Sequence, residues 1–342
     1  MRAQVIAATG EVKRGRSFLE MRELPDPVPG RGEVLVRVSA CGVCHTELDE
    51  IEGRTPPPNL PVVPGHQVVG RVVGVGEGVK TLGEGDRVGV AWIYSACGEC
   101  PRCERGEENL CSRFTATGRD VNGGYAEYMV VPEAFAHPIP EGFSDVEAAP
   151  LLCAGAIGFR SLALTGMKNG QTLGLVGFGA SNHLVLKLAL YLFPESPIFV
   201  FARSEREREF ALELGAAWAG DIGENPPSEV DAMIDTTPVW DPIVRSLQFL
   251  SPGGRFVINA IRKEEGDKGA LLELDYPRHL WLEKEIKSVA NVTRSDVRDF
   301  LQVAERAGIR PEVETYSLEE AERALLDLKE RRIRGAKVLV VG

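Results

Sequence analysis

After about Ala148 the chain alternates short apolar runs with helix-length segments, and no other feature restricts its fold as much. The pattern predicts strands over 172–176, 198–202, 232–234, 255–258 and 285–289. Between the first two lies the apolar stretch 184–193, stopped by Pro194; between the second and third lies 205–214, stopped by Gly215. Strands joined through helices run parallel, with helices covering the sheet. Residues before Ala148 read differently. Val34 to Val38, Val68 to Val75 and Val88 to Trp92 are strand-like, and turn signals at Pro29-Gly30, at 83–86 and at Asn122-Gly123-Gly124 separate them, which predicts a β-rich domain. Past Ser288, helices are predicted over 295–307 and 318–330 and a closing strand over 336–341, while Glu264 to Gly269 reads as an exposed turn. A chain of 342 residues has room for two domains, each with its own core.

Composition narrows the function classes. Apolar residues make up 44% and charged residues 26%, a globular mixture. The formal net charge of −11 repels a phosphate backbone, so nucleic acid is not an expected partner. The first ten residues lack the apolar core of a secretory signal, and no 18 apolar residues run together, so neither export nor a membrane span is expected and the cytoplasm is the expected location.

The seven cysteines stand at 41, 44, 97, 100, 103, 111 and 153. An odd number without a leader argues against a disulfide framework. Cys97, Cys100 and Cys103 are spaced by two residues each, and Cys111 follows after seven more. Four thiolates close a tetrahedral zinc site with no position left for substrate, so this cluster reads as structural. An iron–sulfur cluster uses the same four thiolates, and free or oxidised cysteines are the bland alternative.

After the strand predicted over 172–176 comes Gly177-Phe178-Gly179-Ala180-Ser181-Asn182, and then the apolar helix. Strand, Gly-x-Gly turn and helix start form the setting of a dinucleotide fingerprint, with Asn182 in place of the third glycine. Gly177 permits the turn, and Gly179 lets backbone approach a pyrophosphate at the helix N-terminus. The next strand ends at Ala202, where an acid for the ribose diol of NAD is expected, and Arg203 and Ser204 follow. The missing acid and the arginine point to NADP(H) rather than NAD(H), with Arg208 as a further candidate. The bland reading of Arg206 and Arg208 is a solvated helix face interleaved with Glu205, Glu207 and Glu209.

Gly42-Val43-Cys44-His45-Thr46, Pro64-Gly65-His66 and Leu152-Cys153-Ala154-Gly155 each carry a weak signal alone, since a lone Cys is more often a small buried hydrophobe. Together with Gly85-Asp86-Arg87-Val88, the four-cysteine lobe and Gly123-Gly124-Tyr125-Ala126-Glu127-Tyr128, in this order, they resemble the zinc-dependent medium-chain alcohol dehydrogenases across nearly the whole chain.

The resemblance implies a GroES-like β-rich catalytic domain (1–154, with a C-terminal return over 288–342) and a doubly wound Rossmann domain (155–287), with the active site in the cleft between them. It implies two zinc ions, a small alcohol or aldehyde as substrate, and a homo-oligomer, dimer or tetramer. Cys44, His66 and Cys153 would be the catalytic zinc ligands, two Cys and one His being a known catalytic set. Zinc would lower the pKa of an alcohol from about 16 so that hydride can leave, and would polarise a carbonyl in the other direction. Thr46 would take the alcohol proton, His45 would meet the cofactor pyrophosphate, and Glu47 would buttress His66. Cys41 would only pack.

Two positions depart from the family pattern. Gln67 replaces the usual Glu after the ligand histidine and would leave the site one unit more positive; Asp49 replaces a frequent relay histidine, so the proton exit would differ. Aldehyde reduction with NADPH is the leading expectation. The alternatives are a dehydrogenase of a specialised polyol, hydroxy acid or ring alcohol, and a non-catalytic zinc- or nucleotide-binding relative. Trp92, Ile93, Tyr94, Leu110 and Phe114 are candidates for the pocket wall or for core.

Overall fold

The computed structural model describes residues 1–330, 332 and 334–342. The chain begins with an antiparallel pair, β1 (Arg2–Val5) and β2 (Glu20–Glu23), then runs through β3 (Glu33–Val43) into the short helix α1 (His45–Ile51). There follow β4 (Val68–Val75), β5 (Arg87–Val90), β6 (Ile93–Ser95), α2 (Pro101–Glu104), β7 (Thr115–Ala116), β8 (Tyr128–Pro132) and β9 (Ala136–Pro138). A helical run comprises α3 (Asp145–Pro150), a π-helical turn at Leu151–Gly155 and α4 (Ala156–Thr165). Strands and helices then alternate: β10 (Leu173–Val176), α5 (Ala180–Leu192), β11 (Ile198–Phe201), α6 (Glu205–Glu213), β12 (Trp218–Gly220), β13 (Val230–Asp235), α7 (Asp241–Ser246), β14 (Leu250–Ile258) and β15 (Glu285–Ser288). The chain closes with α8 (Arg294–Arg306), β16 (Val313–Ser317), α9 (Ala321–Lys329) and β17 (Ala336–Val340).

Two compact units result. One holds residues 1–156, 291–306 and 310–342, the other 157–290 with 307–309. In the first unit the sheet runs β16-β17-β3-β4-β5-β9, with β8 also paired to β3. The C-terminal strand β17 lies antiparallel on β3, Lys337 opposite Val43. Val34, Val36 and Val38 alternate into the core, the period-2 signature of a half-buried strand, and from Ala40 onward β3 is buried on both faces. That buried end delivers Cys44 to a fixed place.

The second unit is a parallel sheet in the order β12-β11-β10-β13-β14-β15. Every residue of β10 and β11 is buried, as strands covered on both faces require. From β10 the chain builds outward to β12, then returns to β13 and builds the other way. The switch point therefore lies between β10 and β13, where doubly wound sheets bind their ligands at the carboxyl ends of the strands.

Some expectations need amendment. The apolar helix begins at Ala180 rather than 184, so its first turn is the tail of the Gly-x-Gly loop. β12 and β16 stand where no strand was expected. The stretch 264–269 is the exposed turn expected, and Asp267 within it accepts from the backbone of Trp240 at 2.7 Å and of Asp241 at 2.8 Å at the start of α7. The helical run 145–165 is long and apolar enough to cross a membrane, but 61% of its most apolar window is buried inside the protein, so it is a core helix.

Candidate active site

Three stretches of the first unit bring Cys44, His66 and Cys153 together. Cys44 caps α1 at the end of β3. His66 follows Gly65, whose φ of +97° and close approach to the Tyr125 ring (2.3 Å from where a Cβ would stand) admit only glycine. Cys153 sits in the π-helical turn after Pro150, and such single-turn widenings often aim a side chain at a site. The donor atoms of all three lie within 4.8 Å of one another. His66 Nε2 is 3.3 Å from Cys153 Sγ. With Zn–N near 2.1 Å and Zn–S near 2.3 Å, a tetrahedral ion separates such atoms by about 3.6 Å, so the set fits a cation.

The electrostatics fit as well. The hydrogen bond to Cys153 is the largest influence holding the Cys44 thiol well below its usual range, against burial. One proton shared by two thiols leaves a thiolate, the form that binds metal. Burial opposes charge on His66, but Glu47 and the Cys44 thiolate outweigh it and hold the imidazole well above its ordinary value. Glu47 Oε1 lies 2.7 Å from His66 Nδ1, and neither atom has a hydrogen-bond partner elsewhere among the described residues. Glu47 Oε2 accepts from the Cys44 backbone N–H at 2.7 Å, so one carboxylate touches two of the three donor residues.

The neighbouring candidates differ in what they touch. Thr46 Oγ1 lies 3.6 Å from Cys44 Sγ and is nearly buried. His45 is exposed at the first position of α1. Gln67 is buried with its side chain against Gly42 of β3. Asp49 is not a free relay group, because its Oδ1 accepts from Arg54 Nε at 2.5 Å. Cys41 is fully buried beside Gly65 and Gly124. Trp92 and Ile93 belong to the core of this unit, with Tyr94 and Phe114 packed on it, whereas Leu110 is exposed.

The sequence reading passed over Glu50. It is 1% exposed, and both its carboxylate oxygens lack a hydrogen-bond partner in the structure. The signal was available: Cys44, Glu47 and Glu50 recur every three residues, which lines them along one helix face.

In the four-cysteine lobe, Cys100 caps α2 and Cys103 lies within it. Cys97 Sγ is 3.8 Å from Cys103 Sγ and 3.5 Å from Cys111 Sγ, and Cys100 Sγ is 3.6 Å from Cys103 Sγ. A disulfide needs about 2.05 Å, whereas the edge of a zinc–thiolate tetrahedron is about 3.8 Å. All seven cysteines are free thiols, so the disulfide alternative falls.

In the second unit Gly177, with φ +78°, turns the chain at the end of β10, and Gly179 caps α5. A Cβ on Gly179 would meet nothing within 4 Å, so the chain's own packing does not require glycine there. The open space at the N-terminus of α5 suits a dinucleotide phosphate. Asn182 takes the third-glycine place with a fully buried side chain, whose Nδ2 donates to Gly177 O at 2.7 Å, Val176 O at 3.1 Å and Thr236 Oγ1 at 3.2 Å. Beyond β11, Ala202 is buried and Arg203 exposed. The Ser204 hydroxyl is engaged with Glu207, capping α6. Arg208 Nη1 donates to Ala202 O and Arg203 O at 3.0 Å each, so Arg208 braces the strand end instead of standing in solvent.

Comparison with known proteins agrees with this geometry. Residues 30–141 match the alcohol dehydrogenase GroES-like domain. The chain is 46% identical over 320 residues to "Probable alcohol dehydrogenase AdhA" of Mycobacterium tuberculosis, covering 92% of this chain and 90% of the relative. It is 34% identical over 337 residues to an alcohol dehydrogenase of Geobacillus stearothermophilus, covering 96% and 97%. A cinnamyl alcohol dehydrogenase structure from Sorghum bicolor superposes with a TM-score of 0.85 at 27% identity, covering 99% and 97%. The chain therefore belongs to the zinc-dependent medium-chain alcohol dehydrogenases and is an NAD(P)-dependent oxidoreductase of small alcohols and aldehydes.

Proposed function

We propose that Cys44, His66 and Cys153 hold a catalytic zinc ion, that Cys97, Cys100, Cys103 and Cys111 hold a second, structural one, and that the enzyme reduces aldehydes with NADP(H) in preference to NAD(H). The observation that carries this reading is the convergence of three metal-binding donors within 4.8 Å, backed by Glu47. Zinc held there lowers the pKa of a hydroxyl presented to it and polarises a carbonyl in the reverse direction. Glu47 keeps the His66 Nδ1 proton on its own side, which turns the Nε2 lone pair towards the two sulfurs. Thr46, beside Cys44, is the hydroxyl that exchanges a proton with substrate oxygen. Asp49, which follows Glu47 along α1, is restrained by Arg54. On the cofactor side, Gly177 to Asn182 receive the pyrophosphate. The absence of an acid at Ala202, with Arg203 exposed beside it, supports a 2′-phosphate there.

β15 is an edge strand exposed at all four residues, Ile286 among them, with Trp281 and Leu282 exposed just before it. An unpaired edge of this kind favours a homo-oligomer, dimer or tetramer, which light scattering measures. The cytoplasm is the proposed location.

Elemental analysis of purified enzyme, with NADPH and NADH turnover on a panel of aldehydes, tests the reading. Near two zincs per chain are expected. Cys153→Ser should lose one zinc and all turnover, and Cys103→Ser one zinc and thermal stability. Arg203→Asp should lower the kcat/KM ratio of NADPH over NADH. A wild-type ratio well below one on every good substrate would end the NADP proposal, and one zinc without turnover would end the catalytic one.

A further inference from the structure

Glu50 is a carboxyl with no visible means of support. It lies on the face of α1 that begins with Cys44 and passes through Glu47. It is 1% exposed, and neither Oε1 nor Oε2 has a hydrogen-bond partner among the described residues. The cations near the helix are engaged elsewhere. Arg54 binds Asp49 and Glu52; Lys329, from α9, binds Glu52 and the Val12 carbonyl; Arg119 forks onto Asp120. Burial is the largest influence against its charge, and Glu47 and Cys44 add to it, while His66 and Arg119 act the other way. Tyr125, whose hydroxyl is also buried without a partner, lies in the field of the same acids. A buried, unpartnered carboxyl keeps its proton until a nearby positive charge favours the anion.

We propose that Glu50 is a positioning residue of the metal centre that exchanges a proton for metal charge: protonated while Cys44, His66 and Cys153 hold no ion, and ionised once they hold a divalent cation. The proposal rests on the reading of those three residues as the ligand set. The step is a proton transfer without redox change. The Glu50 O–H bond breaks, its electron pair stays on the carboxylate, and the proton passes to bulk water together with those displaced from the thiols. Gln67, next to the ligand histidine, brings no charge; Glu50 supplies from α1 the negative charge that position lacks.

The test uses full-length enzyme relieved of its exchangeable metal by mild chelation. Zn²⁺ is titrated in calorimetric runs with buffers of different ionisation enthalpy, between about pH 6 and 8, which counts the protons released per metal bound. Glu50→Gln is expected to release about one proton fewer than wild type, and its zinc affinity should rise about tenfold less per pH unit. Glu50→Asp should restore the count. Equal release from Glu50→Gln and wild type overturns the proposal. Infrared difference spectra of wild type alone, zinc-loaded minus zinc-free, guard against a variant that fails to fold: a protonated-carboxyl band should disappear on loading, and its persistence also overturns the proposal. Cys153→Ser separates the two layers. If it abolishes the titrated binding while Glu50→Gln matches wild type, Glu50 alone has been misread. If Cys153→Ser takes up zinc as wild type does, the ligand set is wrong and the proposal falls with it.

Discussion

Asn182 offers a direct test of how the cofactor loop is held. Its amide donates to Gly177 O at 2.7 Å, Val176 O at 3.1 Å and Thr236 Oγ1 at 3.2 Å, so one side chain ties the end of β10 to the residue after β13. Asn182→Ala removes these donors; Val176 O keeps the Thr236 N–H at 3.0 Å, so Gly177 O and Thr236 Oγ1 are the acceptors left short, at roughly 1–3 kcal/mol for each that water does not reach. With two amide hydrogens lost, the second unit is expected to lose about 2–4 kcal/mol of unfolding free energy. A loop that holds its binding geometry a tenth of the time would weaken dinucleotide binding about tenfold. Asn182→Asp keeps the shape but turns a carboxylate oxygen on three oxygens, so it should cost more than alanine. Urea unfolding followed through Trp218 and Trp240 reads the stability, and NADPH fluorescence reads the binding. An alanine variant within about 0.5 kcal/mol of wild type, or an aspartate variant milder than alanine, would refute the tethering argument.

Three other outcomes are expected. Glu47→Ala, which takes the carboxylate from His66 Nδ1, should weaken zinc retention at the catalytic centre about 10–100-fold in chelator competition, and unchanged retention would deny Glu47 that role. Lys263→Met, which removes the partner of the fully buried Asp235, should cost roughly 3–5 kcal/mol, and adding Asp235→Leu should recover much of it; a neutral single variant would mean that Asp235 holds a proton instead. Burial, with Arg294 and Arg298 near it, pushes His137 down to about 4, and burial pushes His183 down to about 4 as well. Unfolded, each binds a proton near pH 6.5, so the unfolded chain takes up more protons between about 6.5 and 4. Their contribution is therefore present above about pH 6.5 and lost as pH falls through about 4, roughly 3 kcal/mol apiece. His137→Gln should flatten the fall of the urea midpoint over that window, and a parallel fall would show that His137 does not titrate there.

What could be read before the structure depended on how locally each feature is encoded. β10, β11 and β14 are apolar runs bounded by turn residues, and they appear within a few residues of their expected places. β12, by contrast, is Trp-Ala-Gly, too short for any periodicity, and exists because Phe199 to Phe201 offer it a parallel edge. β16 is Val-Glu-Thr-Tyr-Ser, a stretch without an apolar run or a clean period-2 pattern, and is fixed by pairing with β17, a contact no local pattern encodes. In the site, the cysteines were legible from their spacing. Glu50 was not, because a glutamate on a short helix is ordinarily solvated, and only burial of α1 on nearly all sides makes it otherwise. Asn182 looked like a missing glycine; the structure shows a side chain that bonds across the turn.

The pairing of β17 with β3 has a consequence for the order in which the protein is made. Val43 meets Lys337, a partner about 300 residues later in the chain. At about 5–20 residues per second, the ribosome delivers β17 some 15–60 s after β3. During that interval the β-rich unit lacks the strand that covers β3, whereas every strand of the parallel sheet emerges before the interval ends. The nucleotide-binding unit can thus fold first, with the metal-ligand unit left waiting for β17. Chains cut short before Ala336 should accumulate with a folded dinucleotide unit and an open β3 edge, a species prone to pairing with its own kind.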